Sequence, residues 1–194
     1  EITILIGPRQ AGKTTLLKEL RSGLEKKGAL CLFFNLDIDS DAAFFGSQQK
    51  LVAHLSAVTG NQRAYIFIDE VQRIENAGLF LKGLYDRQLP YKLVVTGSGS
   101  LELKERIAES LVGRKQKFFL PTVSVKEWAQ YATEYRYGDQ RGAVMRTDEA
   151  LEERLLGKYM KYGGYPRVLT SATDLQKNNV LQEIYQGYIE RDIR

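Results

Sequence analysis

The stretch Gly7-Pro8-Arg9-Gln10-Ala11-Gly12-Lys13-Thr14-Thr15 satisfies the pattern GxxxxGK[ST] at every constrained position. Immediately before it, Ile2-Thr3-Ile4-Leu5-Ile6 reads as a buried strand. Immediately after it, Leu16, Leu17 and Leu20 recur at helical spacing. Strand, glycine-rich turn, helix is the frame in which such a loop can work.

The chemistry comes from the backbone. A loop turning on Gly7 and Gly12 aims successive amide N–H groups inward, and the helix beginning near Lys13 adds the positive end of its dipole. A polyphosphate then meets a preformed anion site. Lys13 is placed to reach the β- and γ-phosphates as a point charge, Thr14 to ligate Mg²⁺, and Thr15 to support the helix start or the base side.

A second element matches this one. Ala64-Tyr65-Ile66-Phe67-Ile68-Asp69-Glu70 delivers two carboxylates at the end of an apolar strand. Asp69 is expected to hold the magnesium and Glu70 to take a proton from the attacking water. Neighbouring side chains on an extended strand point opposite ways, which suits two separate tasks. The strand before the loop and the strand carrying Asp69 are expected side by side, so that Lys13 and Asp69 converge. A later buried strand, Lys92 to Ser98, ends in small hydroxyl residues, with Ser98 the first candidate and Thr96 the second for contact with the γ-phosphate or the lytic water.

Other residues carry weaker signals. Asp37 at a strand's carboxyl end suits capping and solvation better than metal or water positioning. His54 falls among Leu51, Val52 and Leu55 on a helix expected over 41–58, without a partner near it in sequence. Arg114 can neutralise transition-state charge within its subunit or across an interface, or it can be a surface or phosphate-contacting arginine.

The pattern of the whole chain is alternating strand and helix, which implies a parallel sheet in an α/β fold. The apolar run Ala29 to Leu36 reads as a strand covered on both faces. Helices are expected over 14–27, 71–88, 100–111 and 124–135. Composition shifts at Tyr137 to Gly142, and beyond it everything reads as helix, so a boundary is expected between 136 and 137. The last residues keep a helical pattern without a stop signal, which reads as a trimmed fragment. With 194 residues and 43% hydrophobic content, the chain can build one α/β core and a small helical appendage.

No apolar run of membrane-spanning length and no basic leader is visible, and the single cysteine, Cys31, excludes an internal disulfide. A soluble protein of the reducing cytoplasm is expected. The net charge of +4 comes from interspersed charges, which permits nucleic-acid contact without demanding it.

The phosphate loop, the run FIDEVQ (Phe67 to Gln72), VTGS (Val95 to Ser98), LVGR (Leu111 to Arg114) and YGGYP (Tyr162 to Pro166) appear in the order in which they stand in one family. The chain resembles the bacterial and archaeal AAA-type ATPases, related to the STAND ATPases, that carry a C-terminal domain of unknown function numbered 4143. The resemblance implies a five-stranded parallel sheet, with the phosphate-loop strand central and flanked by the Asp69 and Ser98 strands, sandwiched by helices and followed by a helical lid. It further implies that Pro166 leans on the adenine and that Arg167 serves as a sensor of the phosphates. Ile189 to Ile193 looks like the start of the family's C-terminal domain.

Three functions compete. The first is an Mg²⁺-dependent ATPase whose cycle moves the lid and an attached C-terminal module. The alternative is a nucleotide-bound switch or scaffold that recruits nucleic acid or protein, self-association included, with little turnover. A small-molecule kinase shares the phosphate loop but usually lacks the Asp-Glu pair. No Asn-Lys-x-Asp guanine reader occurs, which favours ATP.

Overall fold

A computed structural model of the chain describes residues 1–98, 110–133 and 149–192. The chain forms two compact units, one of Glu1–Pro8 with Gly12–Leu120, the other of Arg9–Ala11 with Pro121–Arg194.

The first unit alternates strand and helix: β1 (Ile2–Gly7), α1 (Lys13–Glu25), β2 (Leu30–Asn35), a short α2 (Asp39–Ala42), α3 (Gln48–Thr59), β3 (Ala64–Asp69), α4 (Ala77–Asp86), β4 (Tyr91–Ser98) and β5 (Lys115–Phe119). The five strands run parallel in the order β2-β3-β4-β1-β5. Parallel strands need crossovers, and the helices making them cover both faces. On one face Ile2, Ile4 and Ile6 of β1 join Ile66, Ile68 and Val95 beneath Leu51, Leu55, Leu81 and Leu84 of α3 and α4. On the other, Leu5, Phe67 and Val94 pack with Leu17 of α1. The period-2 alternation of β1 thus divides its own side chains between two cores.

This order corrects one expectation. The phosphate-loop strand β1 has β4 and β5 as neighbours, and β4 separates it from the Asp69 strand β3. β4, buried continuously from Leu93 to Ser98, takes the central place. The chain leaves β1 for the far edge at β2, returns through β3 and β4, and then crosses to the other side of β1 at β5. The reversal puts the topological switch point between β1 and β4, and open α/β sheets bind ligands outside the carboxyl ends of the strands at such a point.

Local readings also shift. β2 is an edge strand whose Cys31, Leu32 and Phe33 are only half-buried, so its unbroken apolar run does not mark a central position. The helix expected over 41–58 is interrupted: α2 and a 3₁₀ turn (Ala43–Gly46) precede α3, because extended Ser47 caps α3 through its hydroxyl, which accepts from Lys50 N–H. Of the four leucines in α1 only Leu17 is fully buried; Leu24 is half-buried, and Leu16 and Leu20 face solvent.

The second unit is helical, as expected: α5 (Val125–Ala132), α6 (Glu149–Tyr162), α7 (Pro166–Thr170) and α8 (Asp174–Asp192). Ser124 and Glu127 form a reciprocal capping box that starts α5. Trp128, Ala129, Leu155 and Leu169 make one small core, and Tyr162, Val168, Val180 and Ile184 another. The compact units change over between Leu120 and Pro121, which puts α5 with the helical unit. The expected boundary at 136/137 and most of the helix expected over 100–111 lie outside the described residues. No described helix is long and apolar enough to cross a membrane.

Candidate functional site

Gly7 closes β1 where nothing larger fits. A Cβ there would lie 2.1 Å from the Leu120 carbonyl oxygen. Gln10 (φ 57°) and Gly12 (φ 100°) take left-handed backbone conformations, which turn the loop so that α1 starts at Lys13. The conformation strains Gln10, whereas Gly12, lacking a Cβ, adopts it freely. No side chain caps α1 and no acid occupies its first turn, so the positive end of its dipole is not neutralised by a first-turn carboxylate and suits an anion. The ammonium of Lys13, a residue only 4% exposed, donates to the carbonyls of Gly7 at 3.0 Å and Pro8 at 2.7 Å.

Asp69, 1% exposed, is the centre on which three elements converge. Its Oδ2 accepts from the Thr14 hydroxyl of α1 at 2.6 Å, and its Oδ1 accepts from the Thr96 hydroxyl of β4. Thr96, fully buried, also accepts from the Glu70 N–H at 3.1 Å. The phosphate loop and Asp69 therefore meet although β1 and β3 are not neighbours, because Thr14 stands in the first turn of α1, just past the carboxyl end of β1, and Thr96 of the intervening strand bridges the gap. Of the two hydroxyls at the end of β4, Thr96 is the one bonded to the Asp69 carboxylate. Ser98 is buried and in register with Gly7, and its N–H donates to Gln72 Oε1 at 3.3 Å.

Glu70 departs from the extended geometry expected of it. The strand ends at Asp69, and Glu70 sits at φ 61°, ψ 46°, a left-handed conformation that a residue with a side chain adopts at a cost. Neighbouring bonds hold it there: its N–H on Thr96, and its Oε2 accepting from Gln72 Nε2. Gln72 is the residue that sequence reasoning misses. Its one signal is its place in FIDEVQ, two residues past the glutamate on a 3₁₀ turn (Val71–Arg73).

Other candidates are placed elsewhere. Arg114 immediately precedes β5, whose Lys115 pairs with Ile2, and its carbonyl accepts from Ile2 N–H at 2.8 Å. It lies at the amino-terminal edge of the sheet, while Gly7 is five residues further along β1, roughly 16 Å away at the rise of a strand. Its guanidinium pairs with Asp86 at 2.9 Å. That distance removes the reading in which Arg114 serves the phosphate loop of its own subunit. Asp37 is exposed and paired with Arg73 at 2.6 Å, and His54 stacks on Phe44 with ring centroids 3.9 Å apart. Thr15 is exposed on α1. Burial and the nearby Glu25 push the Cys31 thiol up.

In the second unit, which includes Arg9–Ala11, the Arg9 N–H donates to the Tyr188 hydroxyl at 3.2 Å and its guanidinium to the Gly187 carbonyl at 3.0 Å. Arg167 reaches Gln10 Oε1 at 3.3 Å and Glu183 at 3.2 Å. Pro166 is the first residue of α7, where its missing N–H costs nothing. Burial and the Tyr188 hydroxyl push the Tyr165 phenol up to about 12.

The donor set at Asp69 suits magnesium. A carboxylate and a hydroxyl are hard oxygens, and Mg²⁺ is usually held by one or two carboxylates with water and substrate phosphates completing its shell. No cluster of three or more His, Cys, Asp or Glu exists among the described residues, so nothing there suggests an all-protein metal cage.

The parallel sheet with a glycine-rich phosphate loop at its switch point defines a P-loop nucleotide-binding protein. The family model of the AAA domain matches residues 1–129, and the chain belongs to that family. Among curated proteins it is 26% identical to an uncharacterized protein of Methanocaldococcus jannaschii over 193 residues, covering 100% of this chain and 42% of that one. It is likewise 26% identical to an uncharacterized protein of Haemophilus influenzae, covering 99% and 46%. An uncharacterized protein of Mycobacterium tuberculosis is 34% identical over 127 residues, covering 65% and 26%. The chain spans less than half the length of these relatives. A chain from a structure concerned with katanin self-assembly aligns at a TM-score of 0.46 and 17% identity, covering 71% of this chain and 46% of that one.

Proposed function

We propose that this chain binds ATP with magnesium and hydrolyses it, acting as the ATPase part of a longer protein. The observation that carries the reading is the buried Asp69 carboxylate held between the Thr14 and Thr96 hydroxyls, beside a phosphate loop whose Lys13 is drawn inward. Metal bound there would supply charge neutralisation on the polyphosphate.

The chain's own groups do the rest. Loop amides and the α1 dipole bind the phosphates. The Lys13 ammonium, now on the Gly7 and Pro8 carbonyls, is within a side-chain rotation of an incoming anion. Glu70, half-buried at the strand end, accepts the proton of the attacking water, and Ser98 is a candidate for orienting that water. Arg114, remote from its own loop and paired with Asp86, is left as a surface or phosphate-contacting arginine or as one that acts on another subunit's nucleotide, in which case turnover would rise with protein concentration. The roles of Pro166 at adenine and Arg167 at the phosphates rest on the family resemblance.

The test is binding and release measured separately. Lys13→Ala should abolish association of Mg-ATP. Glu70→Gln should retain association and slow phosphate release by at least about a hundredfold. Association indifferent to Lys13 would end the reading. Unchanged release in Glu70→Gln would strip Glu70 of its role, and an unsubstituted chain that binds Mg-ATP without releasing phosphate would be a nucleotide-bound switch instead.

A further inference from the structure

We infer that Gln72 is the positioning residue of the proposed general base, an inference that rests on the hydrolytic reading above. The carboxamide spans two groups of different kind. Its Nε2 donates to Glu70 Oε2, and its Oε1 accepts from the Ser98 N–H at 3.3 Å. An N–H can only donate, so Ser98 fixes which end of the amide is oxygen, and the NH₂ group must face the carboxylate.

The polarity matters because, among the described residues, the Glu70 carboxylate has no other hydrogen bond to aim it. It lies beyond the last residue of β3 in a left-handed conformation, where the pleat of the strand no longer sets the side-chain direction. Its N–H is anchored on Thr96. Its carboxylate is anchored on Gln72. The same carboxamide reaches the final residue of β4, the residue in register with Gly7 at the root of the phosphate loop. Displacement of the end of β4 is thereby transmitted to the orientation of the Glu70 carboxylate. Gln72 acts through Glu70.

The experiment compares the unsubstituted chain with Gln72→Met and Gln72→Glu, each alone and combined with Glu70→Gln. Methionine keeps the length and loses both hydrogen bonds. Glutamate keeps an acceptor for Ser98 N–H but cannot donate to Glu70, and it covers the case in which Gln72→Met fails to fold. Single-turnover phosphate release, followed over hours for the slow variants, is read beside the affinity for Mg-ATP and the thermal midpoint. Both single variants should release phosphate about tenfold more slowly with affinity unchanged, and Gln72→Met, which leaves the buried Ser98 N–H without its acceptor, should in addition lower the midpoint. On the Glu70→Gln background the same changes should cost nothing further.

Release at the unsubstituted rate in the folded variants overturns the inference while leaving the ATPase reading intact. An equal loss on both backgrounds also overturns it, since Gln72 would then act independently of Glu70. An unsubstituted chain that binds Mg-ATP and never releases phosphate overturns the hydrolytic reading and this inference with it.

Discussion

Replacing Thr96 with valine tests whether the buried hydroxyl bridge, rather than the apolar body of the side chain, holds the site together. The Thr96 Oγ1 donates to the Asp69 carboxylate and accepts from the Glu70 N–H. A hydrogen bond to a charged group contributes about 1.5–3 kcal/mol, and an N–H left unpaired in a buried site costs about 1–3 kcal/mol. Glu70 is only half-buried, so water recovers part of the second loss. The expected net destabilisation is about 2–4 kcal/mol. For a chain of this size that lowers the thermal midpoint by roughly 4–16 °C.

Thr96→Ser is the control. Serine keeps the hydroxyl and gives up one buried methyl, a loss of about 1 kcal/mol. Urea and thermal denaturation of the three proteins decide the matter. If Thr96→Val proves as stable as the unsubstituted chain, the bridge contributes nothing net and the account of Asp69 as the convergence point fails.

Three further outcomes are expected. Gly7→Ala should leave little folded protein in thermal scans, since its Cβ would meet a backbone carbonyl at 2.1 Å that no side-chain rotation can relieve. Ser124→Ala should cost about 1 kcal/mol through loss of the α5 cap. The Ser124 N–H and hydroxyl hold the Glu127 carboxyl below its ordinary 4.5, so the stability it adds is present above that value and lost as pH falls below it. Acid titration of the Ser124→Ala protein should therefore show a flatter decline than that of the unsubstituted chain. With its thiol pushed up by burial and by Glu25, Cys31 should react with iodoacetamide at pH 8 more slowly than free cysteine. A faster reaction would place it in an electropositive or open setting instead.

Local chemistry is legible in the order of residues alone. Gly7, Gly12, Lys13 and Thr14 sit at fixed spacing in one loop, Asp69 and Glu70 sit at the end of one apolar strand, and the alternation of strand and helix declares a parallel sheet. Each of these is a property of contiguous residues, governed by backbone geometry and hydrophobic period, and the structure returned them nearly unchanged.

Which strands are neighbours is settled in three dimensions. The family resemblance implied β1 beside β3, yet β4 lies between them, and that insertion makes Thr96 the hydroxyl on Asp69 and leaves Ser98 to Gln72. Arg114 lies at the far edge of the sheet because it immediately precedes β5, whose first residue is in parallel register with Ile2. Strand order depends on how helices of different lengths cover two faces at once, a competition among distant apolar surfaces that leaves no periodic trace along the chain. The left-handed backbone of Glu70 belongs with these, because a strained conformation survives only where partners from other elements hold it, and Thr96 and Gln72 are brought to it by the fold.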